Sequence, residues 1–328
     1  MYRVQNRHEG FLHFGVQPFM DGAYEPEYEQ LGTYDVTFLG VPTDHGVSYR
    51  RGAMLGPKTL REYSFLERVD GKEFFDTETE TYLHSNTLTV ADFGNVFCIP
   101  TDPEKTNANI AMAVERVRRK SFPVVAGGDH GIAYSTIKGC LAALPEKMRG
   151  NFAVLHLDAH LDTEEDYEGV PRVFHGNPFR RLIEEGHLSG TNLFSVGMRG
   201  LISKALMDYT VSNGVQLYTV PKIRKMGFGI FVQELVARLS RFDAVYVTFD
   251  IDSIDPSEAK GTGTPMENGL RAIEVQALFR ALKPVRVVGF ELVEVAPEFD
   301  PSSFTTIVAT NCLWNFLAFG LRDKGKLD

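Results

Sequence analysis

Short, nearly continuous apolar runs alternate along this chain with longer stretches whose apolar positions recur at helical spacing. The runs Val36–Gly40, Thr87–Asp92, Phe122–Ala126, Phe152–Asp158, Asn192–Val196, Val215–Thr219, Ala244–Asp250 and Val285–Glu291 predict strands. Between them, Ala108–Lys120, Gly131–Leu144, Ile202–Ser212, Gly229–Leu239 and Arg271–Leu282 predict helices, and Thr305–Phe319 a closing helix. A run such as Val154-Leu155-His156-Leu157 offers no polar face, so it suits a strand covered on both sides. The pattern therefore predicts an α/β fold, a mainly parallel sheet of about eight strands with helices on both faces.

No Ser/Gly linker, low-complexity tract or internal repeat divides the chain, so residues 1–328 are expected to form a single domain. The first 33 residues carry Tyr, Phe and Glu without clear periodicity and are expected to form an N-terminal arm, packed on the domain or on a neighbouring subunit. A hydrophobic content of 43% in 328 residues is ample for a large core. The net charge of −9 argues against nonspecific attraction to nucleic acid or anionic membrane. Three widely spaced cysteines with no CxxC pair read as free thiols. With neither a secretory leader nor an apolar span of ~20 residues, a cytoplasmic location is the expectation.

The chemistry concentrates at strand ends. Asp158-Ala159-His160-Leu161-Asp162 places carboxylate, imidazole and carboxylate at alternate positions, which share one face of an extended chain. Gly127-Gly128-Asp129-His130 and Thr248-Phe249-Asp250-Ile251-Asp252 follow two other predicted strands. In open parallel sheets the carboxyl ends of the strands meet at one crevice, so His130, Asp158, His160, Asp162, Asp250 and Asp252 can converge there. Four carboxylates balance two divalent cations in formal charge, and two ions about 3.5–4 Å apart are expected rather than one. Asp129 reads as a backbone-holding neighbour, and Asp255 before Pro256 as a turn former.

These three segments resemble the signatures of the ureohydrolase family, which includes arginase and agmatinase. His175-Gly176-Asn177-Pro178-Phe179, Gly261-Thr262-Gly263-Thr264-Pro265 and Leu292-Val293-Glu294-Val295-Ala296-Pro297 are similar to further family segments in the same order. The resemblance implies a three-layer α/β/α domain, two Mn2+ ions (or Ni2+ in some members), and a homo-oligomer, trimer or hexamer. It implies that His130, Asp158, Asp162 and Asp250 bind one ion and that His160, Asp158, Asp250 and Asp252 bind the other. A hydroxide shared by the two ions would attack a guanidinium carbon, giving urea and an amine. By the same resemblance Asp162 moves the proton, His175 serves as acid, base or shuttle, and Glu294 holds the guanidinium.

By the same resemblance the substrate is expected to be a small guanidino compound, its tail read by the loop Thr163–Phe174. Its four acids, Glu164 among them, would attract an ammonium and slightly favour agmatine. Arg172 would instead pair with the carboxylate of guanidinobutyrate or guanidinopropionate. Thr264 is a further lining candidate. Arginine, free guanidine, a formimidoyl substrate and a non-catalytic guanidine- or polyamine-binding role are the competing readings. Gly131, Lys260, Asn268 and Glu291 depart from the family pattern without removing an expected ligand.

Overall fold

The computed structural model describes residues 17–64, 73–84 and 88–321. Residues 1–16 of the expected arm, and Thr87 at the start of one expected strand, lie outside the described residues. The strands are β1 (Ala23–Tyr24), β2 (Val36–Val41), β3 (Glu73–Asp76), β4 (Thr81–His84), β5 (Val90–Asn95), β6 (Phe122–Gly127), β7 (Phe152–Leu157), β8 (Leu193–Met198), β9 (Gln216–Thr219), β10 (Ala244–Asp250) and β11 (Val287–Val293). The helices are α1 (Gly56–Tyr63), α2 (Pro103–Arg118), α3 (Ala133–Ala143), α4 (Glu146–Gly150), α5 (Pro178–Glu184), α6 (Lys204–Ser212), α7 (Val220–Met226), α8 (Phe228–Leu239), α9 (Ala272–Ala281) and α10 (Phe304–Asn315).

Nine strands form one parallel sheet in the order β1-β5-β2-β6-β11-β10-β7-β8-β9, with helices on both faces. The eight strands expected from the pattern are therefore joined by a ninth. That addition, β1, comes from the expected arm and is two residues long, too short to leave a periodicity. The arm segment is anchored by Phe19, whose backbone N–H donates to Asp92 Oδ2 at 2.9 Å, while its ring stacks on Phe38 at 4.2 Å. β3 and β4 make a separate antiparallel hairpin that the hydrophobic pattern does not announce.

Side chains alternate between the two cores along β7 and β10, while β11 carries a bulge beside Val288. Ala153, Leu155 and Leu157 of β7 face the core shared with α8, α9 and α10, whereas Phe152 and Val154 face the core beneath α2, α3 and α5. The second register continues along β7 from Val154 to His156 and then Asp158, and along β10 from Tyr246 to Thr248 and then Asp250. Cross-strand pairing aligns His156 with Thr248 and Thr248 with Glu291, so a buried polar row crosses three strands just below their carboxyl ends. Period-two alternation thus carries one face from apolar core to polar site without a change of backbone. Among the described residues no helix is long and apolar enough to cross a membrane.

Candidate metal and catalytic site

Four adjacent strands, β6, β11, β10 and β7, occupy the middle of the sheet, where the chain changes its direction of winding. The carboxyl ends of β6, β7 and β10 bring the six expected ligands to one place, and β11 brings Glu294 beside them. His130 opens the turn after β6. Asp129 caps that turn by accepting from the Gly131 N–H at 2.9 Å, and its other oxygen accepts from the Gly46 N–H at 3.0 Å. Asp129 thus faces backbone, as its sequence position suggests. Burial, followed by the Glu294 charge, raises its carboxyl to about 6.

The donor atoms fall into two groups joined by Asp158. Its Oδ2 lies 2.9 Å from His130 Nδ1, while its Oδ1 lies 3.2 Å from His160 Nδ1. Around His130 Nδ1 stand Asp162 Oδ2 at 2.9 Å and Asp250 Oδ2 at 3.3 Å. Around His160 Nδ1 stands Asp252 Oδ2 at 3.1 Å. One set, His130, His156, Asp158 and Asp162, brings its ligand atoms within 4.8 Å of one another; a second, Asp158, His160 and Asp252, does the same. Asp250 borders the first set through His130. Asp162 holds a left-handed backbone, with φ of 52°, and so does Glu294, with φ of 63°. Such conformations cost about 1–3 kcal/mol each and cluster where a site fixes side-chain direction.

The electrostatics of the bare protein fit a cation requirement. Burial and then mutual repulsion push the Asp162, Asp250 and Asp252 carboxyls upward. Burial also raises Asp158, but hydrogen bonds from His130, His156 and His160 outweigh it and hold that carboxyl well below its ordinary value. Four buried carboxylates in contact are unfavourable unless positive charge sits between them. Oxygen donors mixed with imidazole suit a hard to borderline divalent ion such as Mn2+ or Ni2+.

His156 is the one member of this cluster that sequence reasoning passed over. It sits in an apolar strand, yet it precedes Asp158, His160 and Asp162 at the same two-residue spacing. Its Nε2 lies 2.9 Å from Asp158 Oδ2, and its Nδ1 lies 3.3 Å from Ser195 Oγ. Burial lowers its pKa, and these partners assign the single proton of the neutral ring to Nε2, donating to Asp158.

His175 and Glu294 meet at the edge of the cluster. His175 Nδ1 is 3.3 Å from Glu294 Oε1, which also accepts the His130 backbone N–H at 3.0 Å. Ser48 Oγ lies 2.7 Å from His175 Nε2. Burial lowers the His175 pKa, but the Glu294 hydrogen bond and charge, with Asp129 and Asp162, outweigh it and raise the ring to about 9. The loop carrying His175 rests directly on two glycines. A Cβ on Gly46 would stand 2.8 Å from Phe174 Cα, and one on Gly131 would stand 3.0 Å from the Phe174 carbonyl carbon. Gly131, where the family pattern has Ser, is therefore matched to this close approach.

The remaining expected residues separate. Glu164 and Thr264 line the cavity beside the cluster, and Thr264 Oγ1 donates to Asp252 Oδ2 at 3.3 Å. Arg172 does not line it. This corrects the expectation of a tail-binding cation: its Nη2 donates to Glu185 Oε1 at 2.6 Å, and its side chain is 59% exposed. The acidic loop is also less negative than it reads, because Asp166 pairs with Arg181 and Glu165 lies 3.9 Å from Arg180.

The description Arginase family matches residues 34–318 of this chain. The chain belongs to the Arginase family. Proclavaminate amidinohydrolase of Streptomyces clavuligerus is 33% identical over 310 residues, covering 89% of this chain and 93% of that protein. Its solved structure superposes with a TM-score of 0.82 at 29% identity, covering 95% of this chain and 98% of that one. The mitochondrial guanidino acid hydrolase of Homo sapiens is 32% identical, covering 86% of this chain and 77% of its own length. The mitochondrial agmatinase of Gallus gallus is also 32% identical, covering 86% and 80%. The parallel sheet with its flanking helices is the three-layer α/β/α fold of the Arginase family. Its activity class is hydrolysis of carbon–nitrogen bonds in amidino or guanidino compounds. A guanidino acid hydrolase and an agmatinase thus stand at equal identity to this chain.

Proposed function

We propose that this protein hydrolyses a guanidino compound to urea and an amine, using two divalent ions, Mn2+ or Ni2+, held by His130, Asp158, His160, Asp162, Asp250 and Asp252. The observation that carries this reading is the bridging position of Asp158, one oxygen facing each imidazole. When bound, two such ions would supply Lewis-acid chemistry, lowering the pKa of a water and stabilising the charge that develops on attack.

The protein's own residues supply orientation and proton management. Glu294 lines the cavity with a carboxylate suited to charge-assisted hydrogen bonds from a planar guanidinium. In the reaction, water oxygen bonds to the guanidinium carbon and the bond from that carbon to the tail nitrogen breaks. Asp162 accepts the proton released by water. His175 delivers a proton to the departing nitrogen, which otherwise leaves as a strongly basic anion. Neutral His156 keeps the Asp158 carboxylate turned toward both sets of donors.

The tail of the substrate follows from what the cavity lacks. With Arg172 paired elsewhere, a guanidino acid loses its expected cation, and with Glu165 and Asp166 turned to Arg180 and Arg181, Glu164 is the acid of this loop that lines the cavity for agmatine. The test of the reaction is urea release from a panel of guanidines by manganese-loaded protein. Chelation, Asp158→Ala and Asp250→Ala should each abolish it, and folded, metal-loaded protein that releases no urea from any guanidine contradicts the reading.

A further inference from the structure

The cavity beside the carboxylate cluster is far more apolar than a guanidinium with a short polar tail requires. It encloses about 380 Å³. Leu161, Met198, Leu206 and Leu217 build one wall as a small apolar cluster separate from both cores of the sheet. Across from them are Met266 and Phe174, and the Tyr167 ring lies 5.6 Å from that of Phe174. At the mouth, Leu201, Ile202 and Met207 hold apolar side chains in solvent, Leu201 being 99% exposed. An exposed apolar rim continuous with an apolar cavity is a feature of binding surfaces.

The charged groups around this space are already engaged. Arg199 is the one Lys or Arg among the described residues lining it. Its guanidinium donates to backbone carbonyls of Gly197, Asp252, Ser253, Met266 and Glu267, so it pins loops together and offers nothing to an anion. Glu164 Oε2 accepts the Tyr167 hydroxyl at 2.7 Å. Along the apolar wall, away from the ligand cluster with its His175 and Glu294, a carboxylate tail would lose its water among leucine and methionine with no free Lys or Arg among the described lining residues, and an ammonium would find Glu164 already shared with Tyr167.

We propose that this cavity selects guanidino compounds with a neutral, apolar tail, an alkyl or aryl group several carbons long. Leu206, Ile202, Met207 and Met266 are the specificity-determining side chains. The assignment rests on the reading that the site releases urea from a guanidino carbon. Each methylene that leaves water for this wall contributes to binding and transition-state stabilisation alike.

The experiment compares kcat/KM for urea release from propylguanidine, hexylguanidine, 2-phenylethylguanidine, agmatine and 4-guanidinobutyrate, using full-length manganese-loaded protein and an Ile202→Asp/Met207→Asp variant. Hexylguanidine and phenylethylguanidine should exceed agmatine and guanidinobutyrate by about tenfold or more, the scale at which apolar pockets discriminate. From propyl to hexyl, kcat/KM should rise roughly two- to fourfold per methylene. The variant should lower the ratio of hexylguanidine to agmatine by about tenfold. Agmatine or guanidinobutyrate matching the apolar substrates, no dependence on chain length, or an unmoved ratio in the variant overturns the tail assignment while leaving the hydrolase reading intact. Urea release from none of the five overturns both.

Discussion

His175 is held between Glu294 on Nδ1 and Ser48 on Nε2, and its proton carries a specific pH signature. Its pKa in the folded protein, about 9, stands above the ordinary 6.5 because carboxylates outweigh burial. A raised histidine stabilises the fold fully below pH 6.5, and that contribution is lost as pH rises through about 9. As the acid that protonates the leaving amine, the same group should give kcat of the metal-loaded protein a limb on the alkaline side. His175→Asn should remove that limb and reduce kcat by about 10²–10³-fold, measured as kcat against pH from neutral to strongly alkaline. An unchanged limb in the variant would place the acid elsewhere. Single residues also show what sequence could and could not reveal. The ligands at Asp158, His160 and Asp162 were legible as ligand types crowded at the end of an apolar run; the extended spacing expected of them does not hold, because β7 ends at Leu157 and Asp162 is left-handed. His156 shares that spacing but was masked by its apolar neighbours. Arg172 misled because its partner, Glu185, sits 13 positions away, just past a helix too short to be read from periodicity.

At the scale of elements, the site depends on loops being clamped to the ends of strands. Arg199, just past β8, is the main clamp, joining the end of that strand to the turn after β10 and to the 266–267 loop through backbone carbonyls. Replacing it strands several buried acceptors, and each lost or unsatisfied hydrogen bond of this kind costs about 1–3 kcal/mol. Arg199→Met should therefore lower the denaturant midpoint by the equivalent of roughly 2–4 kcal/mol. It should also weaken metal retention, since Asp252 lies in the released turn. Equal stability and metal content in the variant would deny Arg199 this role. The strands around the site were legible because each is a continuous apolar run. β1, α4, α5 and α7 were not, being shorter than the window over which periodicity can be recognised. The acidic loop illustrates the same gap, since its neutralising Arg180 and Arg181 are carried by α5.

For the whole molecule, the cluster makes stability a function of both metal and pH. In metal-free protein, Asp162, Asp250 and Asp252 are raised by burial and repulsion, while His130 and His160 are raised by the carboxylates despite burial. Raised groups stabilise when protonated, so their contribution falls as pH rises through their folded values; Asp158 and His156, shifted downward, act in the opposite sense. Chelated protein should accordingly lose Tm as pH is raised from 5 to 8. Added Mn2+ should restore about 3–4 kcal/mol per bound ion at a hundred- to thousandfold excess over Kd, about twice that for a pair, with a smaller gain at pH 5 where protons compete. Calorimetry of chelated and reloaded samples measures both effects.

The pairing of ions is the claim from which the chemistry follows, and metal titration of chelated protein tests it most directly. With urea release followed against manganese bound per chain, activity should saturate at two equivalents, and Asp158→Ala should bind fewer and release none. Full activity at one equivalent, or two bound ions with no urea from any guanidine, would contradict the account.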